Sequence, residues 1–371
     1  MSSTRLINHL RANEVVESDR VSVQTVETFR GATSELQAFV ESTWSEAYTG
    51  RMTFPVWSEQ YFDWQLGPRG DEPDRRLAVI EDGRPVAVLL GAPCYLQTPT
   101  ATFHGSNWSW LSVAKTHRGR GLAKTLDEAR VDLERRDDSE LIVSFRYTGS
   151  RHSLAERPSQ RFPLKRFHSR RGFWARPLHG NRLHRWNLNR TEGLLSRLAT
   201  PLMPRAKWLA VDGIRLFDRG DLEACQEAAV KQFEHCVLRV RWDTVSLRHQ
   251  LSESPISQTV VAEHGGKVRG FVNFHILPFQ ARTREPVAVI DLICVNQLPA
   301  RRQAALLTSA LGLMREQGAI LALKLRSGDV SSALMLATGF TPRLPDSNLV
   351  LQWTQSVRPT PRHKPIHLLW R

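Results

Sequence analysis

The chain has 371 residues, 41% of them hydrophobic, which is enough to bury one large core or two ordinary ones. Lys and Arg number 51 against 37 Asp and Glu, and the formal net charge of +14 favours an anionic partner such as a nucleotide, a nucleic acid or a membrane surface. No apolar run is long enough to span a bilayer and the N-terminus has no apolar core, so we expect a cytoplasmic protein.

Cysteine and histidine spacing gives no sign of a metal site. The four cysteines, Cys94, Cys225, Cys236 and Cys294, are too far apart for C-x-x-C chemistry, and the thirteen histidines form no H-E-x-x-H motif. We therefore expect free buried thiols and no bound metal.

A β-hairpin pattern recurs along the chain at a fixed distance. The first hairpin joins 76–80 to 85–90 through a turn at Gly83, and the second turns at Gly265, 182 positions later. The apolar run 108–113, predicted to be a buried strand, has its counterpart at 290–295, again 182 positions later. The sequence therefore predicts an α/β (α+β) chain of two repeats, each a mixed sheet flanked by helices.

Two prolines, Pro201 and Pro204, mark the predicted boundary between the repeats, because proline interrupts regular elements. We predict a flexible N-terminal tail at 1–20 and a first domain at 21–195. A linker at 196–210, a second and degenerate domain at 211–355, and a C-terminal tail at 356–371 follow.

The segment after the first buried strand carries the clearest ligand-binding pattern. Arg118, Gly119, Arg120 and Gly121 precede a helix whose apolar stripe begins at Leu122. The glycines allow consecutive N–H groups to point inward, the helix start adds partial positive charge, and the arginines add full charges, all of which suit phosphate oxygens. A plain strand-to-helix turn is the alternative interpretation.

This motif and its context resemble the R/Q-x-x-G-x-G/A loop of the GNAT superfamily of N-acyltransferases. The resemblance implies that the coenzyme A pyrophosphate is held by the loop and the helix start, at Arg118, Gly119, Arg120, Gly121, Leu122 and Ala123. It also implies that the pantetheine arm pairs with the backbone of the preceding strand, at Leu111, Ser112 and Val113.

The second repeat departs from this motif. At the 182 offset, Ala300 stands for Arg118 and Gln303 for Gly121, and the segment 296–305 has no glycine. Because its backbone cannot curl in the same way, we predict one coenzyme A site, in the first repeat, and an acceptor cleft shaped by the second.

Several segments resemble those of the N-myristoyltransferases, which are tandem GNAT chains with a functional first repeat. In chain order these are 57–64, 146–149, 174–183, which is similar to W-H-R-P-L-N-P-K-K-L, and the closing strand 346–353. The chain differs from that family at Gly119 and Gly121, where the family has charged residues, and at Ala175 and His179. The resemblance predicts the layout of the chain and leaves the acyl length open.

Attack of an amine on a thioester requires donors for an oxyanion and a group that accepts the proton of the amine. In the resembled family the donors are amides at a strand bulge, which implies Trp110 and Leu111 here. The base in that family is the carboxylate of the last residue, which implies Arg371; an inert tail is the alternative.

The resemblance also bears on the acid. Many GNAT proteins have a tyrosine four positions before a Gly-Phe pair that protonates the leaving thiolate, and His168 occupies that position here, which implies the same role. Tyr147, at the end of an apolar strand, is the second candidate. Asp291, in an apolar run, would have a raised pKa if buried and would then be a candidate base. A hydrogen-bonded structural carboxylate is the alternative for Asp291.

The sequence thus predicts an N-acyltransferase that moves an acetyl or longer acyl group from coenzyme A to an amine in a ternary complex. The acceptor is left open among small molecules, peptides and proteins. The rival is a GNAT-fold binding module for RNA or an anionic membrane, because 151–190 holds eleven Lys or Arg against one Glu, interleaved with aromatic residues. No nucleic-acid motif is recognisable, and we place the enzyme first.

Overall fold

The computed structural model describes residues 25–67, 74–147, 165–356 and 364–371. The N-terminal segment 1–20, the part 151–164 of the basic segment 151–190, and the end of the 146–149 motif lie outside the described residues. The described chain forms two mixed β-sheets with helices against them, which confirms the predicted fold class.

The first half of the chain contributes eight strands and five helices to the described structure. They are β1 (Val26–Thr28), α1 (Thr33–Tyr48), β2 (Phe54–Pro55), α2 (Glu59–Leu66), β3 (Arg76–Glu81), β4 (Arg84–Gln97), β5 (Thr102–Val113), α3 (Leu122–Arg136), β6 (Leu141–Tyr147), β7 (Lys165–Arg171), β8 (Phe173–Pro177), α4 (Gly180–Trp186) and α5 (Arg190–Ala199).

The second half repeats this order of strands and helices through β14 and differs after it. Its described elements are β9 (Ile214–Leu216), α6 (Leu222–Phe233), β10 (Leu238–Val240), α7 (Thr244–Ser252), β11 (Ser257–His264), β12 (Lys267–Gln280), β13 (Arg284–Cys294), α8 (Ala300–Glu316), β14 (Leu321–Leu325), α9 (Ser332–Ala337), β15 (Thr341–Pro342), β16 (Ser347–Trp353) and β17 (Ile366–His367).

Both predicted hairpins form, and both turn through residues with positive φ. Asp82 and Gly83 have φ of 50° and 74°, and Gly265 and Gly266 have φ of 63° and 72°. Two consecutive left-handed residues match the twist of the flanking strands, which is why these short turns favour glycine and aspartate. The hairpins therefore have a local cause that the sequence carries.

Each half of the chain lends strands to the sheet of the other half. The first sheet has the order β1-β3-β4-β5-β6-β16-β7, with β10 paired to β4 and β17 paired to β10. The second has the order β15-β8-β14-β13-β12-β11-β9, with β2 against β12. Because β16 lies in the first sheet and β8 in the second, no single cut in the chain separates the two sheets.

The segment predicted as the linker packs closely on the second repeat. The main-chain N–H of Leu209 donates to the Ser309 hydroxyl at 3.2 Å. A Cβ added at Gly312 of α8 would lie 2.2 Å from the backbone of Lys207 and Trp208, so this glycine permits the close approach. The domain boundaries stay a prediction, and this part of the chain is held against α8.

The largest aromatic cluster lies between the two sheets. Buried residues of α1, α2 and β5, among them Leu36, Phe62 and Trp110, meet apolar residues of β12, β13 and β14 such as Phe279. Separate apolar clusters seat α3 on the first sheet and α8 on the second. Among the described helices, none is both long and apolar enough to cross a membrane.

Candidate active site

A β-bulge interrupts the pairing of β4 and β5 at Trp110. Val88 pairs with Ser112 and Leu90 with Ser109, so Leu89 stands opposite two residues, Trp110 and Leu111. Trp110 has a φ of 56°, a strained value for a bulky side chain. Strain of this kind persists only where the surroundings enforce it, and it identifies the bulge as a candidate functional feature.

Aromatic packing holds the strained residue in place. The Trp110 ring is 1% exposed and makes edge contacts with Trp57, Tyr61 and Phe62, at centroid distances of 6.3, 6.1 and 5.7 Å. Its indole Nε1 is buried without a hydrogen-bond partner. Packing, rather than hydrogen bonding of this side chain, therefore fixes the bulge.

The strands β5 and β6 separate near the bulge. Their parallel pairing runs only from Gly105 with Leu141 to Asn107 with Val143, although β5 continues to Val113 and β6 to Tyr147. The predicted pantetheine-binding residues Leu111, Ser112 and Val113 follow this parting, on the stretch of β5 that no longer pairs with β6. An extended ligand arm can pair with such a stretch in the way that another strand would.

The predicted phosphate loop links the end of β5 to α3. Gly119 and Gly121 have φ of 86° and 83°, and Gly121 is the residue that caps the start of α3. A Cβ at either glycine would meet nothing within 4 Å, so the positive φ, and not crowding, is what calls for glycine. No side chain caps the first turn of α3, whose N–H groups begin at Leu122 and Ala123.

The two loop arginines are cations at a partly exposed surface. The Arg118 guanidinium donates to the main-chain oxygen of Val113 at 3.1 Å and lies 3.8 Å from the Glu46 carboxylate. Arg120 lies 3.9 Å from Glu81. Ion pairs this long and exposed contribute little, so a phosphate could displace them at small cost.

In the corresponding loop of the second repeat, a side chain of the protein binds the main-chain N–H groups. The Gln232 side chain accepts hydrogen bonds from the N–H groups of Val295 and Asn296, at 2.8 and 3.1 Å. The segment 296–305 contains no residue with positive φ, and α8 begins behind Pro299. This repeat therefore lacks the curled backbone of its counterpart, as the sequence predicts.

The last residue of the chain reaches the bulge. The Ser109 hydroxyl donates to the main-chain oxygen of Arg371 at 2.9 Å, and the Asn107 amide donates to that of Leu369 at 2.9 Å. The Arg371 side chain is 2% exposed and pairs with Asp291 at 2.6 Å. Arg371, predicted within a tail, is thus buried, and it is hydrogen-bonded to the residue that precedes Trp110 in β5.

Asp291, a candidate base from the sequence, has a pKa shifted in the direction opposite to the one expected. Burial by itself raises the pKa of Asp291, but the charges of Arg371 and His275 and the hydrogen bonds from them outweigh burial and hold that pKa well below its usual range. The His275 ring lies 2.9 Å and the Gln250 amide 2.8 Å from the carboxylate. The expectation of a raised pKa is therefore wrong, and Asp291 is a structural counter-ion.

The two candidate acids lie at different distances from the bulge. Tyr147 ends β6, the strand next to β5, and its ring packs against Trp370 at 6.3 Å. Burial holds the pKa of Tyr147 well above its ordinary value, so the phenol stays protonated at neutral pH. His168 is on β7, and both β16 and β6 lie between that strand and β5.

A cavity of about 530 Å³ opens beside Arg371, between the two halves of the chain. One wall is apolar and includes Val143, Val240, Trp242 and Leu369. The polar side chains that line it include Gln65, Asn107, Asp243, His249, Gln250 and Arg371. The cavity thus combines an apolar wall with a group of polar residues beside the bulge.

Sequence reasoning identified the loop, the strand and the bulge, and it missed Ser109, Asn107 and Gln65. Ser109 and Asn107 bond the C-terminal segment, and Gln65 accepts from Arg371 Nε at 2.8 Å. The available signal for the two β5 residues was polarity, since Ser106, Asn107 and Ser109 alternate with or precede the large apolar residues of this strand. Among the described residues, no group of His, Cys, Asp and Glu could hold a metal ion.

Two sheets that each carry a bulge, a parting parallel strand pair and a following helix define a tandem GNAT fold. Structures of Saccharomyces cerevisiae N-myristoyltransferase share it. One with bound myristoyl-CoA and inhibitors has a TM-score of 0.71 at 16% identity, covering 88% of this chain and 79% of the other. Another, with bound myristoyl-CoA, has a TM-score of 0.68 at 16% identity, covering 86% and 79%.

The structure of an N-acetyltransferase also matches. A GCN5-related N-acetyltransferase from Anabaena variabilis has a TM-score of 0.51 at 10% identity, covering 89% of this chain and 73% of the other. No protein-family model and no curated protein matches the sequence. The fold and layout predicted from the sequence, GNAT repeats arranged as in N-myristoyltransferase, are confirmed.

Proposed function

We propose that the protein is an acyl-coenzyme A-dependent N-acyltransferase that binds its thioester on the first repeat. The observation that carries this proposal is the Trp110 bulge at the parting of β5 and β6, followed directly by the glycine loop at the start of α3. The bound myristoyl-CoA of the two yeast enzyme structures supports the same class of co-substrate.

In this proposal each part of the first repeat binds one part of coenzyme A. The N–H groups of the loop 118–121 and of Leu122 and Ala123 bind the pyrophosphate, with Arg118 and Arg120 adding charge. The pantetheine arm pairs with Leu111, Ser112 and Val113. The thioester carbonyl then lies at the bulge, where the Trp110 and Leu111 amides stabilise the oxyanion.

Transfer proceeds by direct attack of the amine nitrogen on the thioester carbon. The new C–N bond forms and the C–S bond breaks, the carboxylate of Arg371 accepts a proton from the amine, and the thiolate takes a proton from Tyr147. The Ser109 hydrogen bond supports the role of Arg371 because it orients this residue beside the bulge. The place of Tyr147 at the end of β6, the strand next to β5, supports its role as an acid.

We assign the acceptor to the cavity beside Arg371. Its apolar wall suits an uncharged portion of the acceptor, and Gln65, Asn107 and Arg371 provide polar groups near the reacting amine. Leu369→Trp would fill part of this space. We expect it to raise the KM for the acceptor and to leave the affinity for acetyl-CoA unchanged, whereas a selective loss of affinity for long acyl-CoA would assign the cavity to the acyl chain.

Calorimetry with acetyl-, octanoyl- and myristoyl-CoA tests the coenzyme A site. Gly121→Val places a β-branched residue at a φ of 83° in the loop, and Gly265→Val is the matched control, with a φ of 63° and equally open space in the second repeat. We expect about tenfold or more loss of affinity for Gly121→Val, from the loss of charge-assisted hydrogen bonds, and none for the control. Equal affinity in both variants, or binding of RNA without any binding of acyl-CoA, would overturn the proposal.

A further inference from the structure

Helix α5 packs against helix α4 at its glycine, Gly193. Gly193 is the one buried residue of this ten-residue helix. A Cβ at Gly193 would lie 3.1 Å from the main-chain oxygen of His184 in α4, so the two helices meet backbone to backbone. The leucines of α5 are therefore not used for packing against α4.

Those leucines form an exposed apolar stripe, here called the leucine face. Leu194, Leu195 and Leu198 are 44%, 62% and 61% exposed, and Leu202, in the turn that follows, is 88% exposed. Leu194 and Leu198 are one helical turn apart, and around the helix axis Leu198 lies between Leu194 and Leu195. Scattered exposed leucines are ordinary, whereas four in nine positions on one helix and its turn form a patch that calls for a partner.

A second segment adds to this surface. The Arg343 guanidinium pairs with Glu192 of α5 at 2.7 Å, which brings the loop after β15 next to the helix. The following residue, Leu344, is 88% exposed. The apolar surface thus extends beyond one helix.

The charges around the leucine face are positive. Within 190–207 the cations Arg190, Arg197, Arg205 and Lys207 are all exposed, and the single acid, Glu192, is already paired. Helical spacing puts Arg190 and Arg197 together on one side of the stripe. Protruding leucines bordered by guanidinium groups are the composition of a helix that lies in a lipid headgroup layer, with its apolar side in the acyl region and its cations on anionic headgroups.

We propose that the leucine face is the site at which the protein docks on an anionic lipid bilayer. The leucines enter the interface, and Arg190 and Arg197 beside them bind the headgroups, a match of charge that a neutral protein groove would not provide. This role is independent of the acyl transfer proposed above, because none of these residues belongs to the coenzyme A loop, the bulge or the cavity.

Sedimentation of the full chain with lipid vesicles tests the proposal. We expect binding to vesicles of phosphatidylcholine and phosphatidylglycerol, weak binding to pure phosphatidylcholine, and a fall in binding as salt rises. Leu195→Glu with Leu198→Glu should lower the partition coefficient about tenfold or more. Arg190→Gln with Arg197→Gln should reduce the preference for phosphatidylglycerol.

The matched control is Leu216→Glu with Val230→Glu, which changes the charge equally at side chains that are 56% and 57% exposed elsewhere. The control should bind as the unaltered chain does, and circular dichroism should show all variants folded. No binding to anionic vesicles, or equal binding by the two double-glutamate variants, would overturn the proposal. Self-association that the leucine-face variant abolishes, without vesicle binding, would overturn it in favour of a second copy of the chain.

Discussion

Ser109 and Asp291, which occupy equivalent positions of the two repeats 182 residues apart, hold opposite ends of Arg371. The Ser109 hydroxyl donates to the main-chain oxygen at 2.9 Å, and the Asp291 carboxylate accepts from the guanidinium at 2.6 Å. The first repeat thus binds the backbone of this residue and the second repeat binds its charge. This arrangement explains how one residue can be fixed at the boundary between the repeats.

The proposed base can be tested without disturbing this clamp. A semisynthetic chain that ends in Arg371 carboxamide keeps the guanidinium and removes the carboxylate. We expect kcat to fall about 100-fold, the lower range for loss of general-base catalysis, with acyl-CoA affinity unchanged. The chain rebuilt by the same ligation with its carboxylate intact is the control, and equal kcat in both chains would remove Arg371 from the mechanism.

Asp291→Asn tests the buried ion pair. The substitution leaves the Arg371 guanidinium in the interior without its counter-charge, and we expect a loss of about 3–5 kcal/mol in the free energy of unfolding. Asp132→Asn is the control, because its carboxylate lies 3.9 Å from an exposed Arg135 and should cost less than about 1 kcal/mol. Urea unfolding measures both, and similar small losses would contradict the structural role of Asp291.

The two candidate acids, Tyr147 and His168, lie on strands at different distances from β5. Neighbouring strands are about 4.8 Å apart, so the three steps from β5 to β7 put the His168 backbone roughly 14 Å from β5. Tyr147 is on β6, the strand next to β5, beyond the point where these two strands part. We therefore expect Tyr147→Phe to lower kcat about 100-fold and His168→Asn to leave it nearly unchanged. The opposite result in steady-state kinetics would assign the acid to His168.

His367 makes stability depend on pH. Its Nδ1 lies 3.0 Å from the Asp329 carboxylate, and the Trp242 indole donates to its Nε2 at 3.3 Å, so the ring is neutral with its proton on Nδ1. Burial lowers the pKa of His367 below its ordinary 6.5 despite the opposing effect of Asp329. The unfolded chain therefore takes up this proton first as the pH falls.

Because the unfolded chain binds this proton more readily, the free energy of unfolding decreases as the pH falls. The stability that His367 contributes is complete above about pH 6.5 and is lost as the pH falls towards its lower folded pKa, at up to about 1.4 kcal/mol per pH unit. His367→Gln should flatten the decline in melting stability between about pH 6.5 and 5. His104→Gln, at an exposed histidine, should leave the slope unchanged; a slope equal in all three proteins would disprove the assignment.

The features that the sequence predicted have local causes. Turns at Gly83 and Gly265, the apolar run of β5 and the glycines before α3 are each determined by neighbours in the chain. The 182-residue offset then related one repeat to the other. The fold class and the conformation of the glycine loop before α3 could therefore be inferred before any tertiary contact was known.

The features that it did not predict depend on residues far apart in the chain. Ser109 and Arg371 are separated by 262 positions, and no spacing rule links them. The burial of Asp291 was predictable from its apolar neighbours, but the sign of its pKa shift depended on Arg371, 80 positions away. The exchange of β8 and β16 between sheets likewise follows from packing and not from a local pattern.

That exchange has a consequence during synthesis of the chain. Strand β16 lies between β6 and β7, yet it begins 176 residues after Arg171, where β7 ends. At ribosomal rates of about 5–20 residues per second, β6 and β7 wait roughly 10–35 s with an unfilled gap between them. Strand edges that stay unpaired for this time promote aggregation. We therefore expect the nascent first repeat to need chaperones until β16 has emerged, and to need them more when translation is slow.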